Sequence, residues 1–266
     1  MAKLKEIINF MDKLFPPELA FDGDNVGLIV GSENKEVSKI LISLDVDEKV
    51  VQEAAALKSD AIISHHPLMF HSIKRLTDNS PEERTIMSLV KSDISLFSAH
   101  TNLDCAHEGL NDFLAEKLGI ENTSVIEPVA TIDGQVHGFG RVGEVPFGTT
   151  LSDMLKKCTQ ELNTPFVRYV GNPEKEIRTV AVNCGGGADE IGICIENKID
   201  LFITGDVKYN PARDCYDNDM CLIDAGHYET EHIVCELLKD KLSKKFPDIC
   251  FEIAKENIAV FKIYNK

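Results

Sequence analysis

Two related α/β units with mostly parallel sheets are what this sequence predicts, and three observations carry the reading. Apolar runs of strand length alternate with helical stretches, which is the pattern of a parallel sheet with crossover helices. The pattern then returns later in the chain: Asp60-Ala61-Ile62-Ile63-Ser64-His65-His66 and Asp200-Leu201-Phe202-Ile203-Thr204-Gly205-Asp206 run in register as acid, three apolar residues, hydroxyl, functional turn. Turns rich in histidine and acid follow the carboxyl ends of the predicted strands, where open α/β sheets place their ligands.

The elements follow in order. Leu4, Ile7, Ile8, Met11, Leu14 and Phe15 fall at helical spacing, and Pro16-Pro17 ends that periodicity. A turn-rich loop, Asp22-Gly23-Asp24-Asn25-Val26-Gly27-Leu28, leads to a strand through Lys39-Ile40-Leu41-Ile42-Ser43-Leu44-Asp45, and residues 47–58 read as a helix. Strands at 61–64 and 94–98 flank a helix opened by Ser80-Pro81-Glu82-Glu83, a cap with proline in the first turn. A helix over 108–118 and a short strand at 124–127 precede the polar, glycine-rich segment 131–140. That segment is the expected boundary between a first domain, 1–130, and a second, 131–266. Beyond it the expectation is a strand at 138–145, a helix at 150–162 and a strand at 166–170. Then come a strand at 179–183, a helix at 188–197, strands at 201–204 and 220–223, a helix to about 242, and strands at 249–253 and 258–263.

Composition narrows the class. The 266 residues carry 44 Asp and Glu against 28 Lys and Arg, a formal charge of -16, which opposes broad attraction to nucleic acid or anionic lipid. The eight cysteines include no C-x-x-C and no zinc-finger spacing, so buried reduced thiols in a cytoplasmic protein are expected. The first helix is amphipathic and unlike a secretory signal, and the first arginine is Arg75, unlike a mitochondrial presequence. No apolar run has the length of a bilayer span.

Chemistry gathers in three turns. His65 and His66 end a buried strand, and since neighbours on a strand point to opposite faces, they converge only if the chain leaves the sheet there, as Pro67 encourages. The plainer alternative is a solvent-exposed histidine pair. His100-Thr101-Asn102-Leu103-Asp104 follows the next strand, and His227 and Glu231 are four apart at a helix start, on one face. His65, His66, Asp104, His227 and Glu231 offer more donors than one tetrahedral zinc uses, and too few to fill two ions without a shared carboxylate and water. A pair of divalent ions with open positions follows, and with no thiolate among the donors zinc, iron, manganese, nickel and cobalt all remain open. Gly185 to Gly187 lacks the Lys and Ser or Thr of a P-loop and reads as a tight turn. Asp206 and Lys208, at the matching turn of the second unit, either line the site or only shape the turn.

The chain resembles the NIF-three-like proteins, also called GTP cyclohydrolase 1 type 2 homologues. The resemblance lies in Ser64-His65-His66-Pro67, in His100 to Asp104, in Thr204-Gly205-Asp206-Val207-Lys208-Tyr209 and in Gly226-His227-Tyr228-Glu229-Thr230-Glu231. Asp24 to Leu28 looks like the family's first signature. The resemblance implies a dinuclear site in the cleft between two α/β domains, held by His65, His66, Asp104, His227 and Glu231, in a toroidal homohexamer with the metal sites facing inward. It departs from the family's pattern at Gly23, where a tryptophan is usual, and at Asn210, which replaces a frequent histidine; neither is a ligand. The length leaves no room for the extra central domain of longer relatives.

The expected function is a metal-dependent hydrolase acting on a small nucleotide-like or phosphorylated substrate, with His100 as the proton shuttle beside Asp104. The rival expectation is a non-enzymatic metal-binding or regulatory protein that forms a ring. Threading of DNA through such a ring is disfavoured by the charge.

Overall fold

The computed structural model describes residues 2–264. It forms two compact units, and their division differs from the expected split near residue 130. The first unit runs to Leu103 and resumes at Val234, while the second is Asp104–Ile233. The reason is a strand pairing: Cys250–Ile253 joins the first sheet parallel to Lys39–Ser43, so the end of the chain, with the helix Val234–Lys245, completes the first unit.

In the first unit a five-stranded sheet has the order Cys250–Ile253, Lys39–Ser43, Ala61–Ser64, Ser95–Ser98, Gly27–Val30. The first four are parallel and the last is antiparallel. Ile40, Leu41, Ile42, Ile62 and Ile63 are fully buried, as strands covered on both faces require. The helices appear where their signals stand: Asp47 accepts from Lys49 and Val50 N–H at 2.9 Å to cap Glu48–Leu57, and Ser80 caps Pro81–Lys91. The first helix, Leu4–Leu14, buries Leu4, Ile7 and Met11, three of the residues placed at helical spacing.

In the second unit a six-stranded sheet has the order Glu121–Ile132, Gln135–Glu144, Thr179–Val182, Leu201–Thr204, Cys221–Asp224, Arg168–Val170. Its Thr179–Val182, Leu201–Thr204 and Cys221–Asp224 strands are parallel, and the others are antiparallel. Residues 131–140, expected to form a domain boundary, instead turn a long hairpin: Asp133 and Gly134 take φ of +51° and +80°, the pair of left-handed residues that a two-residue hairpin turn selects. The strand expected at 124–127 is therefore the middle of a longer one.

The internal repeat holds at atomic detail. Asp60 Oδ2 accepts from Ser38 N–H, Lys39 N–H and Ser38 Oγ. Asp200 Oδ2 accepts from Arg178 N–H and Thr179 N–H in the same way, with the hydroxyl one position later, at Thr179 Oγ1. In each unit the acid before the central strand tethers the start of its neighbour, and the turn after that strand carries the chemistry.

Three local expectations change. Residues 258–263 form no strand, and Val260 and Phe261 are 85% and 89% exposed, because the ladder along Lys39–Ser43 ends at Ile253. Two helices without a strong signal appear, Thr101–Cys105 and Tyr209–Asp217. The helix expected at 188–197 opens as a 3-10 turn, Ala188–Glu190, before Ile191–Glu196. Cys105, Cys158, Cys184, Cys194, Cys215, Cys221 and Cys235 are buried free thiols, while Cys250 is exposed. Among the described residues no helix is long and apolar enough to cross a membrane.

Candidate metal centre

In the first unit the chain leaves the sheet after Ser64. His65 N–H and His66 N–H donate to Ser43 O and Leu44 O, and Ser64 Oγ donates to His66 O at 2.9 Å. This turn brings the two adjacent rings together, centroids 5.2 Å apart, which an extended strand would forbid. His100, after the next strand, completes the group with centroids 5.2 Å and 5.5 Å from His65 and His66. One ring nitrogen from each of His65, His66 and His100 lies within 4.8 Å of the others, close enough to hold a metal ion.

The tautomers are set by what Nδ1 meets. His65 Nδ1 lies 2.9 Å from Ala99 O, and a carbonyl only accepts, so Nδ1 carries the proton and Nε2 keeps its lone pair. His66 Nδ1 donates to Asp45 Oδ1 at 2.7 Å, and His100 Nδ1 donates to Asp24 at 2.9 Å. A histidine whose second nitrogen is held by a carboxylate or carbonyl is the usual form of a metal ligand. Asp24 is held further by Thr101 N–H and Oγ1. Burial pushes its carboxyl up, yet the hydrogen bonds from His100 and Thr101 outweigh that and hold it at about 2. Asn25, next in the same loop, donates to Met69 O at 2.8 Å, so residues 24 and 25 brace both histidine turns.

The second unit carries a set of its own. Cys221–Asp224 ends in a glycine turn, Gly226 at φ +96°, and the helix His227–Glu231 follows. His227 Nε2 meets Glu231 Oε2 at 2.9 Å, while His227 Nδ1 donates to Asp206 Oδ2 at 2.9 Å. The Glu231 hydrogen bond, opposed by burial and helped by the charges of Glu231 and Asp206, raises the imidazole to about 9. A divalent cation taking the same nitrogen and oxygen displaces that proton.

Asp104 and Glu231, 7% and 4% exposed, bring carboxylate oxygens within 4.8 Å of each other. Two buried carboxylates this close repel unless a cation or proton sits with them. Cys184 Sγ donates to Asp104 Oδ1 at 3.3 Å; burial first, then the charges of Asp104 and Glu231, push its thiol well above the ordinary range. Cys184 is thus a neutral hydrogen-bond donor. Asn111 positions both neighbours, donating to Asp104 O at 3.1 Å and accepting from Cys184 N–H at 2.9 Å. Gly185, at φ +62°, passes so close that a Cβ there would lie 2.1 Å from Glu231 Oε1 and 3.3 Å from His227 Nε2. The glycine run is a tight turn, as expected, with a further duty of leaving room for two donors.

The structure thus brings together His65, His66 and His100 in the first unit, and in the second places Glu231 beside both His227 and Asp104. Sequence reasoning did not find Asp24 and Asp45 as histidine partners, and it left Asp206 undecided. Their only signal is position, since each follows or faces the carboxyl end of a parallel strand. His137, buried, accepts from His107 N–H at 3.0 Å, and His232 stacks on Tyr228; both belong to local packing. The donor chemistry suits a divalent cation: imidazoles with Nδ1 spent on an oxygen, two buried carboxylates, and no ionised thiol.

The sequence profile of the Duf34/NIF3 (NGG1p interacting factor 3) family matches residues 2–260. A "GTP cyclohydrolase 1 type 2 homolog" of Clostridium perfringens is 35% identical over 255 residues, covering 96% of this chain and 97% of the relative. One of the same name from Lactococcus lactis is 34% identical over 244 residues, covering 90% and 91%. The crystal structure of Staphylococcus aureus hypothetical protein SA1388 superimposes with a TM-score of 0.90 at 30% identity, covering 98% of this chain and 99% of that one. With the profile matched over nearly the whole sequence and the fold shared from end to end, this chain belongs to the Duf34/NIF3 family.

Proposed function

We propose that His65, His66, Asp104, His227 and Glu231 hold two divalent ions, and that the protein is a metal-dependent hydrolase of a small nucleotide-like or phosphorylated molecule. The observation that carries this is the state of the histidines: His65 and His66 spend Nδ1 on an oxygen and so present Nε2, and His227, with Nδ1 on Asp206, holds Nε2 beside Glu231, where a cation would take the place of the shared proton. Such alignment has little value for a merely solvated histidine, and it is what ligation requires. When bound, a pair of divalent ions supplies polarisation of an electrophile and acidification of water.

The chain's own groups do the rest. Asp45 and Asp206 hold the rings of His66 and His227 and keep them in one tautomer. His100 Nε2 takes the proton of the attacking nucleophile, and Asp24, bonded to Nδ1 through both oxygens, stabilises the imidazolium that results. The name carried by the relatives points to ring opening of a nucleotide base as the first reaction to try.

Elemental analysis after loading with zinc, iron, manganese, nickel or cobalt and removal of excess by gel filtration is expected to return two ions per chain. A panel of nucleotides and phosphoesters should then reveal metal-dependent turnover. His100→Ala is expected to retain both ions and to lose about 10²–10⁴-fold in kcat, the range for a lost general base. One ion or fewer after saturation overturns the dinuclear site, and metal loss in His100→Ala makes His100 a ligand instead. Two tightly held ions with no turnover on any substrate leave the regulatory, ring-forming reading in its place.

The same family likeness supports a homohexamer. Light scattering is expected to return about six times the chain mass of 29.5 kDa, and a monomer across a wide concentration range overturns it.

A further inference from the structure

The turn at residues 205–209 of the second unit serves two neighbours. Asp206 holds the imidazole of His227, while Val207, Lys208 and Tyr209 line a cavity of 210 Å³ that the chemistry above does not use. The apolar floor of this cavity is Val170, Val207 and Leu222. Tyr209 and Tyr169 add rings that are 78% and 49% exposed. Arg168 and Lys208 add positive charge.

The geometry is braced from within. Arg168 Nη2 donates to Val207 O at 3.0 Å and to Asp224 Oδ2. Asp224 also accepts from Val207 N–H at 3.1 Å and, through Oδ1, from Gly226 N–H at 3.2 Å, beside His227. The cavity is therefore tied to the turn that carries a proposed ligand. Asp224 offsets the charge of Arg168, which leaves Lys208 as the main attraction for an anion.

Size and chemistry narrow the occupant. The volume is below the ~300–1,000 Å³ of pockets that enclose a drug-sized molecule, so one ring system is seated and the rest of the ligand stays outside. Exposed tyrosine rings beside an apolar floor gain by stacking on a flat ring. A lysine and an arginine at the rim add recognition of an anionic group.

We propose that this cavity binds an anionic aromatic molecule of the class of a nucleoside monophosphate, its ring against Tyr209 and the apolar floor and its phosphate at Lys208 and Arg168. As the seat for the non-reacting end of a substrate it rests on the hydrolase reading; the binding itself does not.

Calorimetric titration of the full chain, stripped of metal with chelator, separates the two. Adenosine and guanosine 5′-monophosphates are expected to bind saturably, the free nucleosides about tenfold more weakly, and inorganic phosphate alone below detection. Lys208→Ala should bring the monophosphates down to the level of the nucleosides. Tyr209→Ala should weaken both classes by about tenfold, the scale of one lost stacking contact, while Tyr209→Phe keeps the affinity. Both side chains are exposed, so melting temperatures should match wild type. Absence of saturable binding to wild type at millimolar monophosphate overturns the site. So does wild-type affinity in both Lys208→Ala and Tyr209→Ala. Failure of the metal count or of hydrolysis overturns the hydrolase reading and leaves this titration standing, because it is made without metal.

Discussion

Glu231→Gln is expected to fold as wild type, to lose metal by at least about a hundredfold in affinity, and to abolish any metal-dependent turnover. Removal of an outer hydrogen-bond partner already costs ~10–100-fold in metal affinity, and Glu231 is proposed as a direct donor, the one whose two oxygens and long stem best suit service to both ions. The fold should survive for an electrostatic reason. Glu231 is 4% exposed and shares its surroundings with Asp104, their oxygens within 4.8 Å, so neutralising it relieves one repulsion in the metal-free protein while weakening the pair with His227. These effects oppose each other, so its melting temperature without metal is expected to stay close to that of wild type, while the gain on adding metal disappears, since binding to the native state is what raises stability. Paired thermal melts with and without metal, together with elemental analysis, check both halves. Full occupancy and full turnover in Glu231→Gln would remove Glu231 from the ligand set.

Gly185→Ala should damage fold and site together. Gly185 sits at φ +62°, and a Cβ there would lie 2.1 Å from Glu231 Oε1. The left-handed backbone costs an alanine about 1–2 kcal/mol, and overpacking adds about 1–3 kcal/mol. Together these correspond to a melting temperature lower by about 5–20 °C. The clash is with a carboxylate oxygen, so Glu231 must move, and metal content should fall as well. Gly192→Ala is the control: nothing lies within 4 Å of its added Cβ, it stands in the helix Ile191–Glu196, and alanine there is expected to be neutral or stabilising. Equal metal content and stability in Gly185→Ala and wild type would show that the close approach constrains nothing.

What the sequence by itself determined are features that rest on local physics. Apolar runs such as 61–63 and 201–203 became buried parallel strands because a strand covered on both faces must be apolar throughout. Asp47 and Ser80 became helix caps because an oxygen side chain before a helix satisfies its free N–H groups. The repeated acid before the central strand and the three histidine turns were readable for the same reason: residue type and spacing along one chain define them. The pairing of His227 with Glu231 was equally local, since residues four apart on a helix share a face.

Other features depended on pairings between segments far apart in sequence, and only the tertiary structure decided those. The chain's last segment returns to the first unit because Cys250–Ile253 finds its ladder on Lys39–Ser43, a choice that composition near residue 130 does not encode. Asp133-Gly134 reads equally as a linker or a hairpin turn until two long strands are seen to flank it. Asp24 reaches His100 across 76 residues and Asp45 reaches His66 across 21. Carboxylates of this kind are common on surfaces, and only folding reveals which of them meets an imidazole. The turn that frees room at Gly185 belongs with them: a glycine's φ can be guessed from its neighbours, but the carboxylate it makes way for is brought there by a helix 46 residues further along the chain.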